Sequence, residues 1–136
     1  MKRNRTYFIF FVVTLSLFSC SDKKNNDVEI EYFENGNFKT IQHFKNGDSE
    51  GQSIWFYENG NIQQIVNFKN DKANGNAFYF YSSGSLKSHR YWLNDTLNGY
   101  VTDYFDDTVG LIKTASLYKN GVVVYSREHD SLTLKK

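Results

Sequence analysis

An all-β fold is predicted: a single-layer antiparallel β-meander of repeated β-hairpins, about eight strands long. Three observations predict it. Columns of similar residues recur every 24 positions from Val28 onward. The segments between turn signals are short and rich in aromatic and β-branched side chains, as strands are. No segment beyond Cys20 keeps a helical period over the ten or more residues a helix needs.

The chain opens differently. Lys2, Arg3 and Arg5 precede an apolar run from Tyr7 to Phe18, which is shorter than the roughly 20 residues of a membrane-spanning helix. A basic start followed by a short apolar run is the pattern of a secretory signal. The run ends in Leu17-Phe18-Ser19-Cys20, which resembles the lipobox of bacterial lipoproteins. That resemblance implies a signal peptide over residues 1–19, cleavage before Cys20, and a lipid anchor (diacylglycerol, with palmitate-type acyl chains) on Cys20. Several acyl chains hold a protein on a membrane because each buried CH₂ contributes about 0.8 kcal/mol. The implied location is the bacterial cell envelope, and Ser21 directly after Cys20 points to the outer membrane. The formal charge of +1 belongs to the signal; the mature chain would carry −2. Residues 20–27 are polar after Cys20 and read as a tether.

The repeats follow, four units over residues 28–125. Gly36, Gly60 and Gly84 are 24 apart, and so are Gly51, Gly75 and Gly99. Tyr32-Phe33, Phe56-Tyr57, Phe80-Tyr81 and Tyr104-Phe105 share a column; Phe44, Phe68, Trp92 and Tyr118 share another. A two-residue insertion near Thr108-Val109 shifts the phase of the last unit. Within each unit the first arm, such as Ser53–Tyr57, leads to an Asn-Gly turn signal. Asn35-Gly36 and Asn59-Gly60 predict type I′ turns, with Ser83-Gly84 a weaker copy. The second arm does not alternate cleanly: Ile62, Ile65 and Phe68 are three apart, a spacing a short helix could also have, but six or seven residues between turn signals favour a strand, with a bulge as one way to fit the spacing. Lys69 to Gly75 is a link to the next unit. Residues 126–136 read as a polar tail.

A single-layer sheet must cover both faces with its own large side chains, which accounts for the 18% aromatic content. Adjacent aromatics in a first arm point to opposite faces. Ile30, Tyr32, Ile54, Phe56, Phe78 and Phe80 make the more apolar face, expected to be the packed one. Trp55, Tyr57, Tyr79 and Tyr81 line the other and form the candidate binding surface, since tyrosine and tryptophan suit half-wet interfaces.

Chemistry is sparse. His43, His89 and His129 occupy unrelated places, one cysteine cannot build a cysteine framework, and no nucleotide-binding or hydrolase motif is present. No catalytic residues, metal site or cofactor are expected. Asp103, Asp106 and Asp107 lack the alternating ligand pattern of a calcium loop and read as solvated. The charge balance gives no reason to expect a nucleic-acid partner.

Phe56-Tyr57-Glu58-Asn59-Gly60-Asn61-Ile62, then Phe68-Lys69-Asn70 and Asn74-Gly75, resembles the MORN-repeat variant, whose bacterial form is often labelled antitoxin-like. The resemblance covers residues 28–125 and implies a non-enzymatic, membrane-anchored protein-interaction module. The label also implies an alternative, an antitoxin or immunity protein that neutralises a toxin by direct binding.

Overall fold

The computed structural model describes residues 26–128; Cys20, the signal, most of the tether and His129 to Lys136 lie outside the described residues. Among the described residues, eleven strands form one antiparallel sheet. They are β1 (Asn26–Tyr32), β2 (Phe38–Lys45), β3 (Asp48–Ser49), β4 (Gly51–Phe56), β5 (Ile62–Lys69), β6 (Lys72–Phe80), β7 (Leu86–Leu93), β8 (Thr96–Leu97), β9 (Gly99–Tyr104), β10 (Ile112–Lys119) and β11 (Val122–Glu128). The ladder runs β1-β2-β4-β5-β6-β7-β9-β10-β11, with β3 beside β2 and β8 beside β7. The meander is as expected; the strand count is corrected from eight to 11.

The extra strands come from the links, which are hairpins in their own right. Lys69 pairs with Lys72 across Asn70 (φ 49°) and Asp71 (φ 62°). Asn46-Gly47, Asn94-Asp95 and Asn120-Gly121 repeat this pair of left-handed residues. Two consecutive positive φ values define the type I′ turn, whose twist matches that of the flanking strands. Asparagine and aspartate tolerate that conformation better than other side chains.

The Asn-Gly turns are of another kind, which corrects their assignment as type I′. Gly36 has φ 87° while Asn35 is not left-handed. Gly36 N donates to Phe33 O at 3.0 Å, and Phe33 N donates to Asn37 O at 2.8 Å. This is a three-residue hairpin loop, a type I turn closed by a left-handed glycine. Gly60 (φ 88°) and Gly84 (φ 95°) repeat it.

The second arms carry the expected bulge. Trp55 faces Gln64 and Phe56 faces Ile62, leaving Gln63 as the surplus residue. Ile62 and Ile65 therefore share a face despite their spacing of three. Lys39 and Lys87 hold the same position in their repeats. The first arms bend at Gly51, Gly75 and Gly99, all with positive φ.

Register gives each face a continuous row. Ile30, Ile41, Ile54, Ile65, Phe78 and His89 face one another strand by strand, and Tyr32, Phe38, Phe56 and Ile62 lie on the same side. The tightest burial lies on the opposite, tyrosine-bearing face: Ala77 is 0% exposed, Ser88 1% and Ser53 2%. The apolar row is not the packed side that was expected. Tyr32, Phe38, Tyr91, Tyr100 and Tyr125 on its face are exposed. Sealing a single layer requires large side chains straddling small ones. The tyrosine face alternates them, with Val66, Ala77 and Arg90 in one cross-strand line beside Trp55, Gln64, Tyr79 and Ser88. The isoleucine face has large residues throughout its central strands, so none roofs another.

Consecutive turns are clamped together. Asn35 Nδ2 and Asn37 Nδ2 each donate to Glu58 O at 2.9 Å. Asn59 and Asn61 do the same to Ser82 O, at 2.9 and 2.8 Å. In the third turn Ser83 Oγ and Ser85 Oγ both donate to Asp106 Oδ1 at 2.6 Å. Two amides on a carbonyl have become two hydroxyls on a carboxylate. Those bonds, Ser83's first and then Ser85's, hold the Asp106 carboxyl below the usual 3.8. Asp107 Oδ1 turns inward and accepts from Val109 N and Gly110 N, at 3.0 and 2.7 Å.

Candidate functional site

The four aromatic residues singled out from the sequence lie on the tyrosine face, all half-buried. Strand β4 presents Trp55 and leads into Tyr57; β6 presents Tyr79 and leads into Tyr81. Trp55, Gln64 and Tyr79 face one another across β4, β5 and β6, so Gln64 separates the two rings. Trp55 tilts against Phe68, with ring centroids 6.2 Å apart. Tyr57 Oη donates to Phe80 O at 2.8 Å, and Tyr81 Oη donates to Tyr104 O at 2.9 Å. These two hydroxyls tie the second unit to the third and the third to the fourth.

Between the rings lies an open cleft of about 320 Å³ lined by Tyr57, Gln63, Gln64, Tyr79, Phe80, Lys87, Ser88 and Arg90. That volume falls at the small end of ligand clefts. Tyr57 and Tyr79 therefore share the site, while Trp55 and Tyr81 flank it. Arg90 lies diagonally across from Tyr79, since Tyr79 faces Ser88 and Ala77 faces Arg90. Its Cζ is 4.7 Å from the centre of the Tyr79 ring, and its Nε donates to Ser88 Oγ at 3.1 Å. Lys87, the bulge residue of β7, holds its Nζ 5.5 Å from the centre of the Tyr81 ring. Arg90, Lys87, Gln64 and Ser88 were not picked out from the sequence.

A larger hollow of about 620 Å³ is lined by Ser83, Ser85, Asp106, Asp107 and their neighbours. Its acidic groups accept the clamp and loop bonds already described. His89 stacks on Phe78 at 4.7 Å between ring centres, on the isoleucine face and away from the cleft.

The family model of the MORN repeat variant matches residues 28–46 and 49–70. Those two segments carry the MORN repeat variant. The two matched segments span β1 to β2 and β3 to the β5–β6 turn, the first two of the MORN-variant units. The third unit keeps the same turns and bulge, with serine for asparagine; the fourth keeps the bulge and the Asn120-Gly121 turn but replaces the three-residue turn by a longer loop closed by Phe105 N to Leu111 O. No curated protein and no solved structure matches the chain.

Proposed function

We propose that this chain is a non-enzymatic lipoprotein of the bacterial envelope, anchored through Cys20, whose MORN-variant sheet binds a protein partner through its tyrosine face. The observation that carries the reading is the cleft between Tyr57 and Tyr79, built on strands whose turns are clamped to one another. A surface stiffened in this way loses little conformational entropy on binding, which favours recognition by a preformed face. Large amphipathic side chains around a small polar centre are the composition of interface hot spots. The polar residues between Cys20 and β1 would hold this face close to the membrane surface.

The test compares partner capture by the wild-type chain with capture by the Trp55→Ala, Tyr79→Ala double variant. Loss of the captured protein with the β-sheet circular dichroism preserved supports the reading. Undiminished capture by a folded double variant would overturn it.

A further inference from the structure

The residues of the cleft are unequal in what they still have to offer. Tyr57 spends its hydroxyl on Phe80 O, Tyr79 carries the Arg90 guanidinium over its ring, and Tyr81 carries Lys87. A sugar-binding platform needs bare ring faces, and here cations occupy those of Tyr79 and Tyr81. The cations themselves are unspent. The one side-chain ion pair among the described residues joins Lys39 and Glu31, 3.2 Å apart. Asp103, across from Ser88, is engaged by Thr114 Oγ1 at 2.8 Å.

Arg90 is also out of place by the logic of the repeat. Its column holds Gln42, Val66, Arg90 and, after the insertion, Ser116; Val66 and Ser116 are buried. An arginine in a column of small or neutral residues is not needed to cover the sheet. Its Nε is fixed by the fully buried Ser88 and its guanidinium sits by the Tyr79 ring, while among the described residues neither terminal nitrogen has a hydrogen-bond or ion-pair partner. That is a preorganised fork of the kind that grips a carboxylate with two parallel hydrogen bonds.

We propose that the Arg90–Lys87 cleft recognises a carboxylate carried by a bound polypeptide, an aspartate or glutamate side chain held between guanidinium and ammonium with Gln64 beside it. This rests on the protein-binding reading above and names its central contact. The cleft lining carries Lys87 and Arg90 and no acidic side chain, so the site is locally complementary to an acidic segment.

The test uses ¹⁵N-labelled full-length chain in uncharged detergent micelles. The probes are capped peptides of three glutamates, the same peptide with three glutamines, glutarate, and inorganic phosphate. The expected result is saturable shifts of the Arg90 Nε–H and of the amides of Gln64, Tyr79 and Ser88 with the glutamate peptide. The glutamine peptide should produce none, and glutarate and phosphate should bind more weakly. Arg90→Gln should weaken the glutamate peptide by about tenfold or more, as loss of hydrogen bonds to a charged group does. Lys87→Gln should weaken it by about two- to fivefold. Arg90→Lys, which keeps charge but not the fork, should fall between wild type and Arg90→Gln and guards against a folding artefact. Equal shifts with the glutamine peptide, phosphate binding as tight as the glutamate peptide, or no effect of Arg90→Gln in a folded variant would each overturn the proposal. Should the glutamate peptide fail while the Trp55→Ala, Tyr79→Ala variant still loses its partner, the carboxylate contact falls and the protein-binding reading stands.

Discussion

Tyr57→Phe separates two roles that a half-buried tyrosine can play. The Tyr57 hydroxyl donates to Phe80 O, 23 residues ahead, and the bond is partly buried. Removing it deletes one intramolecular hydrogen bond without changing the ring, so the loss should be about 0.5–1.5 kcal/mol. For a domain of this size a loss of 1 kcal/mol lowers Tm by roughly 4–8 °C. Tyr81→Phe removes the equivalent bond to Tyr104 O and should cost a similar amount. The first repeat supplies the reverse experiment, because Phe33 occupies the same column and lacks the hydroxyl. Phe33→Tyr places a donor where Phe56 O is the equivalent acceptor and should raise Tm. The assay is thermal unfolding followed by near-ultraviolet circular dichroism, with urea titration for the free energy. An unchanged Tm in both Tyr→Phe variants, together with weakened partner capture, would show that the hydroxyls serve a ligand and would refute the stitching role.

Gly60→Val should destabilise by about 1–3 kcal/mol, because φ 88° strains a β-branched residue although Asn37 Nδ2, at 3.7 Å, leaves room for the added carbon; denaturant unfolding measures it. Ala77→Leu should cost about 1–3 kcal/mol by overpacking a site that is 0% exposed between Val66 and Arg90. The Asp106 carboxyl, lowered by Ser83 and Ser85, favours the folded state above the ordinary value of 3.8, and that contribution disappears as pH falls through its lower folded value. Ser83→Ala with Ser85→Ala should move the Asp106 titration, followed by carboxyl carbon shifts, back up toward the ordinary range. Cys20→Ser should abolish lipid labelling and leave an unprocessed precursor; unchanged labelling and mature size would defeat the lipoprotein assignment.

The repeat was legible because every unit needs the same turn geometry, and few residues supply a left-handed backbone. Gly36, Gly60 and Gly84 gave the turns away, and the spacing of Ile62 and Ile65 exposed the bulge. The turn types were less legible. Asn-Gly satisfies both a type I′ turn and a type I turn closed by glycine, and the pairing of the flanking arms decides between them. Asn70-Asp71 and Asn94-Asp95 lack glycine altogether, so the tightest hairpins resembled mere links. Which face packs is not legible from hydrophobicity alone, because size decides it: Ser53, Ala77 and Ser88 are sealed by being small between large neighbours. Tyr57 and Tyr79 could be placed from their column, but Arg90 meets Tyr79 only diagonally and only once the Lys87 bulge has set the register. Its misfit among Gln42, Val66 and Ser116 was the one signal available from the sequence.

Along the edge of the Asn-Gly turns the side-chain clamps reach one way, from each unit to its successor. Asn35 and Asn37 hold the second unit, Asn59, Asn61 and Tyr57 the third, and Ser83, Ser85 and Tyr81 the fourth. The array therefore has a polarity that determines where it could lengthen by duplication. A second copy of the Asn59-Gly60-Asn61 unit, spliced in after the first, would find a carbonyl ahead of it and offer one behind. A copy added after the fourth unit would find no grip at this edge, since Phe105 has no hydroxyl and Asp107 has folded its loop upon itself. Gene duplication in the middle of this chain would extend the sheet with both edges fastened, whereas the same event at its end would leave a unit held along one edge only.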